Sequence, residues 1–100
     1  MVFLTSRMGS IEDNSSGGSY VYRSSKAGLN AVAKSLSLDL ANRGITTALL
    51  HPGWVKTDMG GDHAPLEVDE AAKGLAEVIE GLDEAQSGTF LDYTGAELPW

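Results

Sequence analysis

Two short apolar runs, Val2-Phe3-Leu4 and Ile45 to Leu50 (ITTALL), bracket the stretch Tyr20 to Gly44, YVYRSSKAGLNAVAKSLSLDLANRG, and this arrangement constrains the fold more than anything else in the chain. Tyr22, Lys26, Leu29, Ala33, Leu36 and Leu40 recur at steps of four and three, which is one continuous stripe at helical period. Asn42-Arg43-Gly44 closes the helix, with Gly44 suited to the left-handed C-terminal position. The flanking runs are β-branched or aromatic and are stopped by Thr5-Ser6 and by Pro52-Gly53, so residues 2–6 and 45–50 read as buried strands. A strand, a long helix and a strand make a βαβ unit, whose strands must run parallel with a right-handed crossover.

The rest of the chain extends this pattern. Residues 7–19 (RMGSIEDNSSGGS) are polar and Gly-rich, a loop into the helix. Residues 51–66 (HPGWVKTDMGGDHAPL) form a connection longer than packing requires, and such loops are usually functional or mobile. Asp69 and Glu70 open a second helix, with Ala71, Ala72, Leu75, Val78, Ile79 and Leu82 as its apolar face and its end near Gly81. Thr89 to Tyr93 gives a third strand, after which Thr94-Gly95-Ala96 turns the chain toward Leu98-Pro99-Trp100. The order strand, helix, strand, helix, strand is α/β. On the long helix, Ala27, Gly28 and Ala31 lie together, and their lack of bulk would let a second helix approach closely. Packing on two sides follows, by the chain's own sheet and by a second subunit.

Composition removes several classes of function. One hundred residues make a single domain. A net charge of -7, without clustered Lys and Arg, argues against nucleic acid as a partner. The chain has no cysteine, which leaves neither disulfides nor thiolate metal sites and makes a reducing, cytoplasmic location the expectation. No segment approaches the ~20 apolar residues of a membrane span, and MVFLTSRMGS is too short in apolar length for a secretory signal, so no membrane partner is expected. His51 and His63 have no metal-ligand spacing and read as structural or solvent-exposed; Asp58 and Asp62 read as loop charges.

The chemistry is concentrated on the first turn of the long helix. Tyr22 and Lys26 stand four apart, so both lie on one face, one turn above the other. A phenol of ordinary pKa ~10 is a poor base at neutral pH, and a fixed ammonium beside it favours the phenolate. Taken singly, such a pair is also what an exposed helix start carries, Ser6 is what a turn after a strand carries, and Pro52-Gly53 is what ends a strand. Trp54 and Trp100 fit either a substrate pocket or a buried anchor.

Together these residues resemble the C-terminal half of a short-chain dehydrogenase/reductase, over essentially the whole chain. LTSRMG, with Ser6 at the end of the opening strand, resembles the family's catalytic serine motif; YRSSK carries Tyr22 and Lys26; HPGWVKT resembles its proline-glycine loop, with Pro52, Gly53, Val55 and Thr57 at matching positions. GSYVYRSSKAGLN and the ending LPW are most similar to the C-factor and carbonyl-reductase branch. The resemblance implies a Rossmann-like fold, this chain being the C-terminal part of a doubly wound parallel sheet. It implies NAD or NADP as cofactor, a small carbonyl or alcohol substrate, and a homo-oligomer built on the Tyr20 to Gly44 helix. It assigns Ser6, Tyr22 and Lys26 to catalysis, Tyr22, Lys26, Pro52, Gly53, Val55 and Thr57 to cofactor binding, and no residue to a metal.

The sequence also departs from the family. The Gly-rich turn of a first βαβ unit, which cradles the cofactor's phosphates, has no counterpart, because Gly17-Gly18 and Gly60-Gly61 sit in polar loops without strand-to-helix context. The family's catalytic asparagine has none either, Asn30 being on the wrong element. The opening strand would then present an open edge. Two readings stand from here: part of a nicotinamide-dependent oxidoreductase, or a non-catalytic interaction or signalling module.

Overall fold

The computed structural model describes residues 1–57 and 59–100. Three parallel strands, β1 (Val2–Leu4), β2 (Ala48–His51) and β3 (Thr89–Asp92), lie side by side in that order. They are connected by helices α1 (Tyr20–Leu40) and α2 (Val68–Glu80), an arrangement that matches the Rossmann-like α/β reading. Phe3, Leu49 and Phe90 are paired across the sheet and therefore share a face. That face carries the core, where Leu49 and Phe90 pack with Ala33 and Leu29 of α1 and with Leu98. Fully burying a side chain of this size contributes about 1.5–3 kcal/mol.

The strands are shorter than the apolar runs. β2 starts at Ala48 rather than Ile45: the register aligns Val2, Ala48 and Thr89, and the Ala48 N–H to Met1 O (3.0 Å) and Gly88 N–H to Thr47 O (2.7 Å) bonds flank its start. Thr46 instead accepts a hydrogen bond from the Met1 amino group (2.7 Å), and the Thr47 N–H donates to Ser87 Oγ (3.0 Å). β1 is half-buried rather than covered on both faces. Leu4 is 57% exposed while its row partner Leu50 is fully buried, since among the described residues β1 is the edge strand of the sheet.

The stripe on α1 is also rotated from the apolar reading. Asn30, Ala33 and Ser37 are the buried residues, whereas Leu29, Leu36 and Leu40 are half-buried. The cause is close approach. A Cβ on Gly9 would stand 2.9 Å from the Lys26 carbonyl carbon, and one on Gly88 would stand 2.8 Å from Ser37 Oγ, so this face takes small or hydrogen-bonding residues rather than leucines. The helix ends as expected, through a 3-10 turn Ala41–Arg43 into Gly44 at φ 71°. Ala27 is half-buried, whereas Gly28 and Ala31 are exposed.

α2 begins at Val68 and buries only Ala71, with Leu75, Val78 and Leu82 half-buried and Ala72 and Ile79 exposed. α2 approaches the segment just after β3 closely at Gly74, where a Cβ would come within 2.6 Å of the Tyr93 carbonyl oxygen. Beyond β3 the chain doubles back. The Leu98 N–H donates to Phe90 O (2.7 Å), and Trp100 packs on Phe90 at 5.7 Å between ring centroids. Trp100 thus packs on the core from outside and stays 39% exposed rather than forming a buried anchor. Among the described residues no helix is long and apolar enough to cross a membrane, and no group of acidic and histidine side chains could hold a metal ion.

Candidate active site

In parallel α/β sheets ligand crevices lie at the carboxyl ends of the strands, and the segments leaving β1 and β2 flank one in this chain. Here the crevice is a cleft of about 880 Å3. The segment after β1 contributes Thr5, Ser6, Arg7 and Met8; α1 contributes Tyr22, and Ser19 just before it; the segment from the end of β2 contributes His51, Pro52, Gly53, Trp54, Val55 and Thr57. Ala71, Ala72 and Leu75 of α2 form another wall.

Ser6 caps a 3-10 turn, Arg7–Gly9, by accepting the Met8 N–H at Oγ (3.1 Å). An acceptor bond fixes the oxygen and leaves the hydroxyl proton to donate. Tyr22 lies one helical turn from Lys26, whose ammonium is 5.8 Å from the centre of the phenol ring. Six of the seven residues singled out from the sequence, Ser6, Tyr22, Pro52, Gly53, Val55 and Thr57, line this single cleft. Lys26 lies outside the lining but against Tyr22. Tyr20, the tyrosine two residues before Tyr22, is 84% exposed and does not line the cleft.

The connection after β2 is an organised lobe. Val55 bridges Leu66 in parallel, through bonds from Lys56 N–H to Leu66 O (2.8 Å) and from Leu66 N–H to Trp54 O (3.3 Å). Those bonds use the groups on either side of Val55, and among the described residues its own N–H and C=O have no partner. Thr57 Oγ1 accepts from the Gly60 N–H (3.1 Å), and Trp54 Nε1 donates to Gly60 O (2.8 Å). Gly53 sits at φ 91°, and a Cβ there would lie 2.7 Å from Leu66 Cδ2, so the close backbone turn at the cleft needs glycine. Asp62 and His63 are exposed, and Asp58 lies outside the described residues.

Four further contacts at this edge have no signal in local sequence. Thr5 Oγ1 donates to the buried Asn30 Oδ1 (2.7 Å), tying the strand end to α1. The Arg7 N–H donates to His51 Nδ1 (3.2 Å). The Arg7 guanidinium lies 3.9 Å from Asp92 Oδ2 and 3.8 Å from Asp13 Oδ2. His51 is thus a half-buried cleft residue, and burial, with the Arg7 charge adding to it, holds its imidazole below the ordinary 6.5 against the opposing pull of Asp92. Burial alone would raise the Asp92 carboxyl. Hydrogen bonds from the Thr94 hydroxyl and from the Thr94 and Ala96 N–H groups, together with Arg7, outweigh it and hold Asp92 below its usual 3.8.

A family model described as short chain dehydrogenase matches residues 1–67. The chain is 53% identical over 97 residues to the C-signal of Myxococcus xanthus, covering 97% of this chain and 58% of that protein. It is 43% identical over 101 residues to the 1-hydroxy-2-glutathionyl-2-methyl-3-butene dehydrogenase of Rhodococcus sp. (strain AD45), covering 97% and 45% respectively. Among solved structures, the carbonyl reductase Sniffer of D. melanogaster superposes with a TM-score of 0.97 at 48% identity, over 99% of this chain and 40% of that one. The NADPH-bound carbonyl reductase from chicken fatty liver gives a TM-score of 0.92 at 39% identity, over 99% and 42%. The chain thus spans about half the length of the curated relatives it matches.

Proposed function

This chain belongs to the short chain dehydrogenase family, and from that premise we propose that residues 1–100 are the C-terminal catalytic half of an NAD(P)-dependent carbonyl reductase. The unit that holds the cofactor's adenosine end would be supplied from outside these residues. The observation that carries the reading is the convergence of Ser6, Tyr22, Val55 and Thr57 on one cleft at the C-terminal edge of a parallel sheet, with Lys26 against Tyr22.

The nicotinamide end of the cofactor fits the donors present. A carboxamide needs both a donor and an acceptor, which the Val55 N–H, without a partner among the described residues, and the Thr57 hydroxyl offer at the cleft. When bound, the nicotinamide supplies or takes up the hydride. Tyr22 gives a proton to the carbonyl oxygen in reduction and removes it in oxidation, as general acid and base. The Ser6 hydroxyl donates to the same oxygen and stabilises the charge that develops there. Lys26 holds positive charge beside the Tyr22 ring and binds ribose hydroxyls. The protein would reside in the cytoplasm and assemble as a homo-oligomer through α1.

The test is calorimetric titration of the 100-residue protein with NADPH and with NADH at millimolar concentration, followed by a screen of carbonyl substrates. Saturable binding, weakened by Thr57→Val and Lys26→Ala, is the expected result. Absence of binding by a folded chain would overturn catalysis by this product alone. The second reading, an interaction or signalling module, is favoured by the exposed Val21, Val32 and Leu38 on α1 and by the similarity to a protein named C-signal. It predicts binding of protein partners with no nicotinamide dependence.

A further inference from the structure

The turn that carries Ser6 is held from two sides that differ in kind. On the α1 side no restraint depends on a titratable group: Thr5 donates to buried Asn30, and Gly9 is seated against Lys26 and Asn30 with no space for a methyl group. On the β2 side a hydrogen bond reaches the turn itself, from the Arg7 N–H to His51 Nδ1 at 3.2 Å. His51 ends β2 in register with Asp92 at the end of β3, so this bond ties all three strand ends together at the cleft.

We infer that His51 is a positioning residue, a proton-sensitive latch whose Nδ1 holds the Arg7–Gly9 turn, and with it Ser6, in place. An imidazole that accepts at Nδ1 carries its proton on Nε2. Adding a second proton puts an N–H at Nδ1, directly facing the Arg7 N–H, and two donors cannot share a bond. The latch opens, and the new imidazolium stands beside the Arg7 guanidinium. The charged groups acting on His51 are Arg7 from the turn, which opposes its protonation, and Asp92 from β3, which favours it. Asp13, 3.8 Å from the same guanidinium, also draws on Arg7, and Tyr22 lines the cleft with them. The latch is therefore closed at neutral pH and opens in acid, below the ordinary histidine range. Its importance for stabilising charge on the substrate oxygen rests on the role proposed above for Ser6; its existence does not.

Long-range 1H–15N spectra of the 100-residue protein across pH resolve the ring nitrogens of its two histidines, and His51→Asn assigns them. The expected result is an Nε2–H tautomer for His51 at neutral pH, a midpoint below ~6.5, and Arg7 and Met8 amide shifts that follow the same midpoint. His51→Asn offers an amide oxygen near the place of Nδ1, and should keep those amides at their neutral-pH positions while abolishing the co-titration. His51→Phe should displace them at every pH. An Nδ1–H tautomer, a midpoint at or above the ordinary value, or Arg7 and Met8 amides indifferent to His51 overturns the inference. None of these readouts needs a cofactor, so failure of the latch and failure of nicotinamide binding are separate results.

Discussion

At the scale of single residues, Tyr22 and Gly9 separate chemistry from packing. The Tyr22 hydroxyl has no hydrogen-bond partner among the described residues and the side chain is 36% exposed, so its removal disturbs little packing. In protein that supports turnover, Tyr22→Phe should lower the rate of NADPH-dependent carbonyl reduction by roughly 10²–10⁴-fold. Its unfolding free energy should shift by less than about 0.5 kcal/mol. Gly9→Ala should do the reverse: its methyl group would meet the Lys26 backbone at 2.9 Å, and relief of that clash should cost about 1–3 kcal/mol in denaturant unfolding. The pH dependence is also set by individual groups. Asp92 titrates below its ordinary value in the fold, so its stabilisation is complete above about 3.8 and is lost as pH falls through the lower folded value. His51, likewise depressed, withdraws stability as pH falls from about 6.5 through its folded value. Unfolding midpoints should therefore fall in two acid steps, and Asp92→Asn should remove the lower one. Ser6, Tyr22, Lys26 and the Pro52 to Thr57 segment were legible because each belongs to a short, spaced motif. Arg7, Asn30 and His51 were not, because a bond between residues 44 positions apart, as from Arg7 to His51, leaves no local pattern.

At the scale of elements, the sequence predicted the type and order of every strand and long helix, since helical periodicity and β-branched runs are local properties. It mislocated what depends on neighbours. The start of β2 lies in register with Val2 and Thr89, and the exposure of Leu4 follows from its place at the edge of the described sheet. The buried stripe of α1 follows backbone approach at Gly9 and Gly88, so serine and asparagine occupy positions that an apolar count gives to leucine. Ala33 shows the consequence. It is 1% exposed and packs with Leu49 and Phe90, at the point where α1 comes closest to the core. Ala33→Leu adds apolar volume at a fully buried core position and should destabilise the fold by about 1–3 kcal/mol, well beyond the small helix-propensity difference between Ala and Leu. A thermal melt compared with that of Ala31→Leu, an exposed site on the same helix, distinguishes overpacking from propensity.

At the scale of the whole molecule, surface area argues that some faces are made to be covered. A folded 10.5 kDa monomer is expected to expose about 5,400 Å2, whereas this chain exposes 6252 Å2 over a flat body of 43 × 29 × 19 Å. The excess is of the size that one partner buries in a standard protein interface, roughly 800 Å2. Much of the exposed apolar surface lies on α1, where Val21 is 84%, Val32 58% and Leu38 69% exposed beside Gly28, at which an added Cβ would meet nothing. A second α1 can approach such a face closely because its residues are small. The net charge of -7 opposes that approach at low ionic strength, so salt should strengthen association rather than weaken it. Sedimentation velocity at micromolar concentration should therefore show a dimer or larger species that grows with salt. Ala31→Arg, which places a bulky charge on the exposed helix face, should return the protein to a monomer with its melting temperature little changed. A wild-type chain that sediments as a monomer at every salt concentration would show that the α1 face does not pair with itself. The excess surface would then be left to the unit that holds the adenosine end of the cofactor or to a different protein partner.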